Sequence, residues 1–144
     1  MGLLDVYTAE SGLFGLGMVP KPLLPHHLIL GNLFYVLRTL FKRKYVVLSE
    51  YCIDIKDLNS VVPDVIVYDK SMKPMMFIEI TNKKEMKRLD KKIRETMEQY
   101  SVFEAFMYIY DVKKWVKYSG LEKKSDKISY SDILRIDLAP FVKI

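Results

Sequence analysis

The chain has 144 residues, of which 50% are hydrophobic, and this is enough for one domain with a buried core. Its formal net charge of +5 suits a polyanionic partner but does not require one. The single cysteine excludes an internal disulfide framework, and neither a signal-peptide pattern nor an apolar run of membrane-spanning length occurs. We therefore expect one soluble domain, residues 1–144, in the cytoplasm and without a membrane partner.

The chain up to residue 81 is predicted to form an irregular start, one helix and four strands. Residues 1–25 carry several Gly and Pro residues that break any periodicity. From His26 to about Phe41, leucines recur at the spacing of a helix with one buried stripe: Leu30, Leu33, Leu37 and Leu40. Runs rich in β-branched and aromatic residues then predict strands at 45–48, 51–55, 64–69 and 75–81.

The rest of the chain completes an α/β pattern. An apolar stripe predicts a second helix at about 85–100. The run at 105–110 is too apolar for an exposed edge, so we expect a central strand there. A strand at 115–118 and a short closing element, which begins at 131–134 and ends at Pro140-Phe141, follow. This order predicts a single α/β domain with a mixed central sheet flanked by helices.

Two acidic residues stand out in the middle of the chain. Asp64 opens one apolar run, Glu79 closes the next, and a polar break containing Pro74 separates the runs, as in a β-hairpin. If Ser71 and Met72 form a two-residue turn, antiparallel pairing places Asp64 directly opposite Glu79, on one face of the sheet. Two adjacent carboxylates repel each other unless a cation lies between them, and Mg²⁺ prefers such oxygen ligands. The two acids therefore predict a metal site.

The order of these motifs resembles the PD-(D/E)XK nuclease superfamily. The resemblance begins with Pro63-Asp64, a hairpin and Glu79, followed by a helix and a strand. Within the superfamily, the chain is similar to the Uma-type restriction-endonuclease family from about Leu24 to Phe141. The further matching segments are Pro25-His26-His27, Gly31-Asn32-Leu33, Phe77-Ile78-Glu79-Ile80-Thr81, Glu104-Ala105-Phe106, Tyr110-Asp111 and Ile136-Asp137-Leu138-Ala139-Pro140-Phe141.

The resemblance implies a restriction-endonuclease-like core that binds Mg²⁺ or Mn²⁺. Asp64 and Glu79 would be the metal-binding carboxylates, and the backbone carbonyl of Ile80 would be a further ligand. The ion would polarise a phosphoryl oxygen and lower the pKa of a bound water. The two acids then need no proton-transfer role of their own.

The catalytic lysine is implied at an unusual position. The superfamily usually has a lysine two residues after the second acid, where this chain has Thr81. Uma-type members take one from the following helix instead, and the matching residue here is Lys92. Two other positions depart from the family, because Arg88 replaces an acidic residue and Asn82 replaces a serine.

The helical spacing agrees with Lys92 as this lysine. At about 100° per residue, Lys92 lies at the border of the apolar stripe, where its stem can lie along the sheet and its ammonium can reach the carboxylates. Lys91 points away, into solvent. Lys83, which is close to the acidic strand, is the second candidate.

The segment from Lys83 to Arg94 is rich in basic residues. It is either a solvated helix face or a surface that contacts phosphates. In the second case, the nucleic-acid-binding residues are Lys83, Lys84, Lys87 and Arg88. A second basic cluster, at 113–124, is interpreted as favouring solubility.

Five other residues have side chains that could take part in chemistry. His26 and His27 are interpreted as an ordinary helix start and not as metal ligands. Cys52 has no partner pattern and is interpreted as a core residue. Whether Glu50 or Asp54 supplies an outer ligand depends on strand placement, which the sequence leaves open.

These observations favour a metal-dependent endonuclease that acts on nucleic acid, with DNA the expected substrate and Asp64, Glu79 and Lys92 as catalytic residues. Nucleases that cut both strands often act as two-fold dimers, so a homodimer is compatible with this function. The alternative, favoured by Thr81, is a nuclease-like fold that has lost catalysis and serves as a nucleic-acid-binding or dimerisation module. A nucleotide-binding enzyme lacks support, because no Gly-rich phosphate loop follows any strand.

Overall fold

A five-stranded mixed sheet with one helix on each face forms the core of the protein, as the sequence predicts. The structure is a computed structural model, and it describes residues 24–144. All but the last two residues of the predicted irregular segment 1–25 lie outside the described residues. The elements are α1 (Leu24–Phe41), β1 (Val46–Ser49), β2 (Val65–Tyr68), β3 (Pro74–Thr81), α2 (Met86–Tyr100), β4 (Glu104–Ile109), β5 (Lys114–Ser119), β6 (Tyr130–Ser131), β7 (Ile136–Asp137) and a 3₁₀ helix (Ala139–Val142).

The strands of the main sheet lie in the order β1-β2-β3-β4-β5. β3 and β4 run parallel and are connected by α2, whereas the other neighbouring strands are antiparallel. β4 is an interior strand whose residues are all buried, in agreement with its apolar sequence. Because β3 and β4 are parallel, their carboxyl ends meet at one edge of the sheet.

Alternation along the strands divides the core into two layers. α1 packs on the face formed by Val65, Val67, Met76, Ile78, Ile80, Phe106 and Tyr108. α2 packs on the opposite face, formed by Ile66, Tyr68, Phe77, Ala105, Met107 and Ile109. By the same alternation, residues 64 and 79 belong to the face that α2 covers.

Both helices lie close to their predicted positions. α1 begins at Leu24 instead of residue 26, because Pro25 fits the first turn of a helix, where a missing N–H costs no hydrogen bond. The predicted closing element is a small β6–β7 hairpin followed by the 3₁₀ helix. In residues 24–144, no helix combines the length and the apolar character needed to cross a bilayer.

The strand predicted at 51–55 is wrong, because these residues belong to an irregular connection between β1 and β2. Cys52 and Ile53 are both buried, so the alternation of a strand is absent. The hydroxyl of Tyr68 donates a hydrogen bond to the carbonyl oxygen of Cys52 (2.5 Å), which makes Cys52 part of the core as predicted. The carboxylate of Asp54 accepts a backbone N–H two residues further on and so stabilises this connection.

The hairpin between β2 and β3 differs from the predicted two-residue turn. Its loop has three residues and is closed by Asp69 and Lys73, since the N–H of Asp69 donates to the carbonyl oxygen of Lys73 (2.9 Å). The Oδ1 atom of Asp69 accepts the N–H of Lys73 in return (3.0 Å). Met72 completes the loop with a φ of 65°. Such a loop alone would shift the strand pairing by one residue.

A bulge in β3 cancels this shift. The pairing is irregular between Val67 and Tyr68, where Met75 is an extra residue in β3. Beyond the bulge, Val65 pairs with Ile78, which is the register that the two-residue turn predicts. The predicted pairing is therefore correct near the acids although the predicted turn is wrong.

Candidate active site

The start of β2 and the end of β3 bring two carboxylates together. Continuing the pairing of Val65 with Ile78 by one residue places Asp64 opposite Glu79, as predicted. The two residues, called the acidic pair below, also interlock. The N–H of Asp64 donates to Oε1 of Glu79 (2.9 Å), and the N–H of Ile80 donates to Oδ2 of Asp64 (2.7 Å). These bonds fix both carboxylates at the end of the β2–β3 ladder.

Burial dominates the electrostatics of Glu79. The residue is 6% exposed, and its burial, followed by the negative charge of Asp64, raises its pKa to about 8. The hydrogen bond from the Asp64 amide and the positive charge of Lys92 act in the opposite direction. Without a cation beside it, Glu79 is therefore mostly protonated at neutral pH, and a bound cation would favour its ionised form.

Another buried acid, Glu104, shows how this chain stabilises a structural carboxylate. Its two oxygens accept hydrogen bonds from the Ser131 hydroxyl (2.5 Å) and the Asp132 amide (2.7 Å). Burial raises the pKa of Glu104, and the nearby charge of Lys117 opposes this. Lys117 is itself buried in an ion pair with Asp132 (2.7 Å), so the solubility role predicted for its cluster is wrong for this residue. In residues 24–144, no Lys or Arg forms such an ion pair with the acidic pair.

Lys92 is the cation that acts on the acidic pair. Among residues 24–144, it is the basic residue whose charge lowers the pKa of Glu79. Lys92 is exposed and forms no ion pair with the described residues. Lys91 instead projects into solvent, with its side chain 80% exposed and its ammonium 4.0 Å from Glu95. Lys83 is exposed and has no comparable effect on Glu79.

Thr81, Asn82 and Arg88, which differ from the pattern that the sequence resembles, have structural roles at the end of β3 and around the start of α2. Thr81 is buried and leaves no ammonium at the end of β3. The Oδ1 atom of Asn82 accepts the N–H of Glu85 (3.0 Å) and so caps this turn. Arg88 donates to the carboxylate of Glu85 (2.8 Å).

The residues predicted to bind nucleic acid all expose their side chains along the start of α2: Lys83, Lys84, Lys87 and Arg88. Lys84 and Lys87 form no ion pair with residues 24–144. Arg88 keeps a largely exposed side chain in spite of its pair with Glu85. These cations are therefore accessible to an anionic ligand.

His26 reaches the acidic pair from α1. Its Nε2 lies 3.3 Å from Oδ2 of Asp64, and this hydrogen bond raises the pKa of the ring, opposed by burial and assisted by the charges of Asp64 and Glu50. Its Nδ1 is buried without a partner among the described residues. The interpretation of His26 as ordinary packing is therefore incomplete, whereas the neighbouring His27 is exposed.

Glu50 also lies at this edge of the sheet. Its N–H donates to the carbonyl oxygen of Asp64 (2.9 Å), and its φ is 50°. Of the two outer acids that the sequence leaves open, Glu50 is therefore the one beside Asp64, and Asp54 belongs to the connection described above.

A backbone oxygen adds to these donors. The N–H and C=O of one strand residue point to the same side, so the carbonyl of Ile80 points toward β2, as its N–H does. Continuing the pairing of Val65 with Ile78 by two residues places Pro63 opposite Ile80. Pro63 has no N–H to donate to the Ile80 carbonyl. The strand ladder therefore leaves this carbonyl oxygen free.

Two carboxylates and one carbonyl oxygen fit a hard divalent cation that completes its shell with water. Residues 24–144 contain no group of three or more His, Cys, Asp or Glu side chains arranged to hold a metal ion. A metal enclosed by protein side chains, such as structural zinc, does not fit this donor set. Mg²⁺ and Mn²⁺ do fit it, since they accept oxygen ligands and Mg²⁺ usually keeps several waters.

Comparison with known proteins gives a match at the level of the fold. No family model matches the chain, and no curated protein matches it. The chain is similar to the crystal structure of a putative nuclease belonging to DUF820 from Anabaena variabilis, with a TM-score of 0.64 and 17% sequence identity. The match covers 86% of this chain and 85% of that one. The chain therefore has a nuclease-like α/β fold.

Proposed function

We propose that this protein is a metal-dependent endonuclease of the PD-(D/E)XK type, similar to the Uma-type family, that hydrolyses phosphodiester bonds of DNA. The observation that carries the proposal is the acidic pair, in which Glu79 is buried against Asp64 with its pKa raised to about 8. A buried carboxylate with a strongly shifted pKa, in contact with a second, half-buried acid, is typical of functional sites. The fold, which is similar to that of a putative nuclease belonging to DUF820, agrees with this assignment.

The comparison with Glu104 separates a functional from a structural acid. Glu104 is equally buried, but two hydrogen-bond donors and the charge of Lys117 stabilise it. At the acidic pair, Glu79 accepts one backbone hydrogen bond, and the cation that acts on it, Lys92, is exposed to solvent. Burial and mutual repulsion of the two carboxylates destabilise the folded protein. A cation that binds between them removes this cost and therefore stabilises the folded protein.

Each residue of the site has a defined role in the proposed reaction. Asp64, Glu79 and the carbonyl of Ile80 would hold Mg²⁺ or Mn²⁺, which when bound would supply Lewis-acid polarisation of the phosphate and a water of lowered pKa. Lys92 places a positive charge beside the scissile phosphate and stabilises the charge that develops on it. His26 orients the carboxylate of Asp64 through its 3.3 Å contact.

A second candidate is a nuclease-like fold that has lost catalysis and binds nucleic acid or a second copy of the chain. The observation in its favour is Thr81, which is buried where the superfamily usually carries its lysine. Under this alternative the acidic pair still binds a metal ion, but no phosphodiester bond is cleaved.

Calorimetric titration with Mg²⁺ and a plasmid-cleavage assay test the two candidates together. We expect saturable binding and cleavage by the wild type, and loss of both in Asp64→Ala. The matched control is Glu98→Ala, which removes an exposed acid of α2 that pairs with no residue in 24–144. Metal binding without cleavage would favour the inactive module, and absence of both would contradict the proposal.

The salt dependence of DNA binding tests the basic start of α2. Lys87→Ala is expected to weaken binding of any DNA sequence and to reduce the slope of log affinity against log salt by about 0.9, the value for one lost phosphate contact. Lys123→Ala, in an exposed loop, is the control and should leave the slope unchanged. Equal slopes for wild type and Lys87→Ala would mean that this face is only solvated.

A further inference from the structure

An aromatic cavity of about 810 Å³ lies on the α1 side of the sheet, at the end of the sheet where β3 and β4 terminate. Three aromatic residues of β4, its following turn and β5 form part of its lining: Tyr108, Tyr110 and Trp115. Pro25 and the cations Lys113 and Lys143 also line it. A cavity of this size with an aromatic lining and a few polar groups is typical of a site for a small planar ligand.

The aromatic rings are held in place before any ligand arrives. The ring centroid of Trp115 lies 4.8 Å from that of Tyr108 and 5.9 Å from that of Phe106, which it meets edge to face. Tyr108 is only 5% exposed, and its hydroxyl forms no hydrogen bond with residues 24–144. A ring that binds here therefore meets rigid aromatic surfaces and one hydroxyl group, so little side-chain ordering accompanies binding.

The charges around the cavity favour an anionic ligand. Lys113 and Lys143 are exposed, and neither forms an ion pair with the described residues. The acid in the lining, Asp111, accepts the backbone N–H of Lys83 (2.9 Å), so its charge is partly offset. An aromatic lining beside two exposed cations suits a base that carries a phosphate.

The cavity lies at the same end of the sheet as the acidic pair, because Pro25 lines it and the next residue, His26, contacts Asp64 (3.3 Å). The cavity is on the α1 face, whereas the pair belongs to the α2 face.

Ile80 pairs with Tyr108, and Tyr108 pairs with Trp115, so the lining lies on the two strands next to β3. Measured along the sheet, β2 and β5 are three strand spacings apart, or about 14 Å, and a substrate strand must also pass over the end of the sheet from one face to the other. Stacked nucleotides of one strand advance by about 3.4 Å each, so the lateral distance alone corresponds to roughly four of them, or fewer in an extended strand.

We propose that this cavity binds an unpaired nucleobase of the substrate strand, so that the preferred DNA substrate is single-stranded a few nucleotides from the scissile bond. This inference rests on the proposed nuclease function and specifies its substrate. A base inside a duplex is stacked and paired, and it reaches a recessed aromatic site only when it is unpaired or flipped out. Stacking on aromatic side chains accepts any base, so no sequence preference follows from this cavity.

The chain supplies its own probe, because Trp115 is the only tryptophan in the sequence. Its fluorescence is measured in the presence of a chelator while a thymidine tetranucleotide is added, and again with an abasic tetramer of the same charge. We expect saturable quenching by the tetranucleotide and at least about tenfold weaker binding of the abasic chain. Equal quenching by both, or by neither, would overturn the proposal.

Two variants locate the binding to the cavity. Tyr110→Leu keeps an apolar side chain and is expected to weaken tetranucleotide binding about tenfold, whereas the control Tyr35→Leu changes an exposed tyrosine of α1 and should have no effect. If Tyr110→Leu lowers the melting temperature, Lys143→Glu serves instead, with weaker binding expected from charge reversal. Unchanged binding in a folded cavity variant would refute the assignment.

The outcomes also separate this inference from the proposed function. Quenching that persists in a protein unable to cleave DNA would leave the cavity assignment intact and contradict the nuclease proposal. Cleavage of single-stranded and duplex DNA at equal rates, without quenching by the tetranucleotide, would contradict the cavity assignment alone. An apolar dye that fills the cavity and is not displaced by the tetranucleotide would indicate a different apolar partner and also overturn the assignment.

Discussion

Lys92→Ala is expected to abolish DNA cleavage while leaving Mg²⁺ affinity nearly unchanged. The ammonium of Lys92 acts on Glu79 through space, but its side chain is exposed and forms no ion pair with a carboxylate of residues 24–144. Its loss therefore removes charge stabilisation of the reacting phosphate without removing a metal ligand. Loss of one such stabilising group lowers kcat by about 10²- to 10³-fold. Single-turnover cleavage at saturating Mg²⁺, together with calorimetry, measures both quantities.

Lys91→Ala is the matched control for this experiment. Lys91 is the preceding residue on the same helix and has the same charge, but its side chain is 80% exposed and lies 4.0 Å from Glu95. An exposed pair of this kind contributes little to stability, so the variant should fold and cleave normally. If Lys91→Ala lost activity and Lys92→Ala kept it, the assignment of Lys92 as the catalytic lysine of α2 would be wrong.

The acidic pair could be predicted from the sequence because its geometry depends on local pattern. Side chains of a strand alternate with a period of two, so the apolar runs fix which face each residue takes and which register buries them. The turn was wrong by one residue, yet the bulge at Met75 compensates, and Val65 still pairs with Ile78. Burial of the apolar face therefore determines the register more strongly than the turn does.

Contacts between distant segments could not be predicted in the same way. His26 and Asp64 are separated by 38 residues, and nothing in the pattern around either residue signals their contact. The sequence predicts Lys117 as a surface lysine, but its side chain is only 7% exposed and pairs with the half-buried carboxylate of Asp132. The strand predicted at 51–55 is wrong for a related reason. The hydroxyl of Tyr68, from another segment, donates a hydrogen bond to the backbone carbonyl oxygen of Cys52.

The metal-free protein is expected to lose stability as the pH rises from about 5 to 8. Glu79 has a folded-state pKa of about 8, raised from 4.5 mainly by burial, so in this window the folded state binds more protons than the unfolded state. The contribution of protonated Glu79 to the free energy of unfolding is complete below pH 4.5 and is therefore lost as the pH rises through this window. The free energy of unfolding then falls by up to about 1.4 kcal/mol per pH unit. This corresponds to a fall of roughly 4 °C in melting temperature per pH unit. His26, whose pKa is also raised, contributes in the same direction above its usual value of 6.5.

Glu79→Gln isolates the contribution of this acid, because glutamine keeps a side-chain oxygen for the Asp64 amide but does not titrate. In a chelator at pH 8, the variant should melt several degrees above the wild type. Addition of Mg²⁺ should raise the melting temperature of the wild type, more strongly at pH 8 than at pH 6, and should not affect the variant. Glu98→Gln, on the exposed side of α2, should behave like the wild type. A wild-type protein whose stability is independent of pH and Mg²⁺ would show that the two carboxylates do not share a cation, and the proposed hydrolytic chemistry would have no metal site.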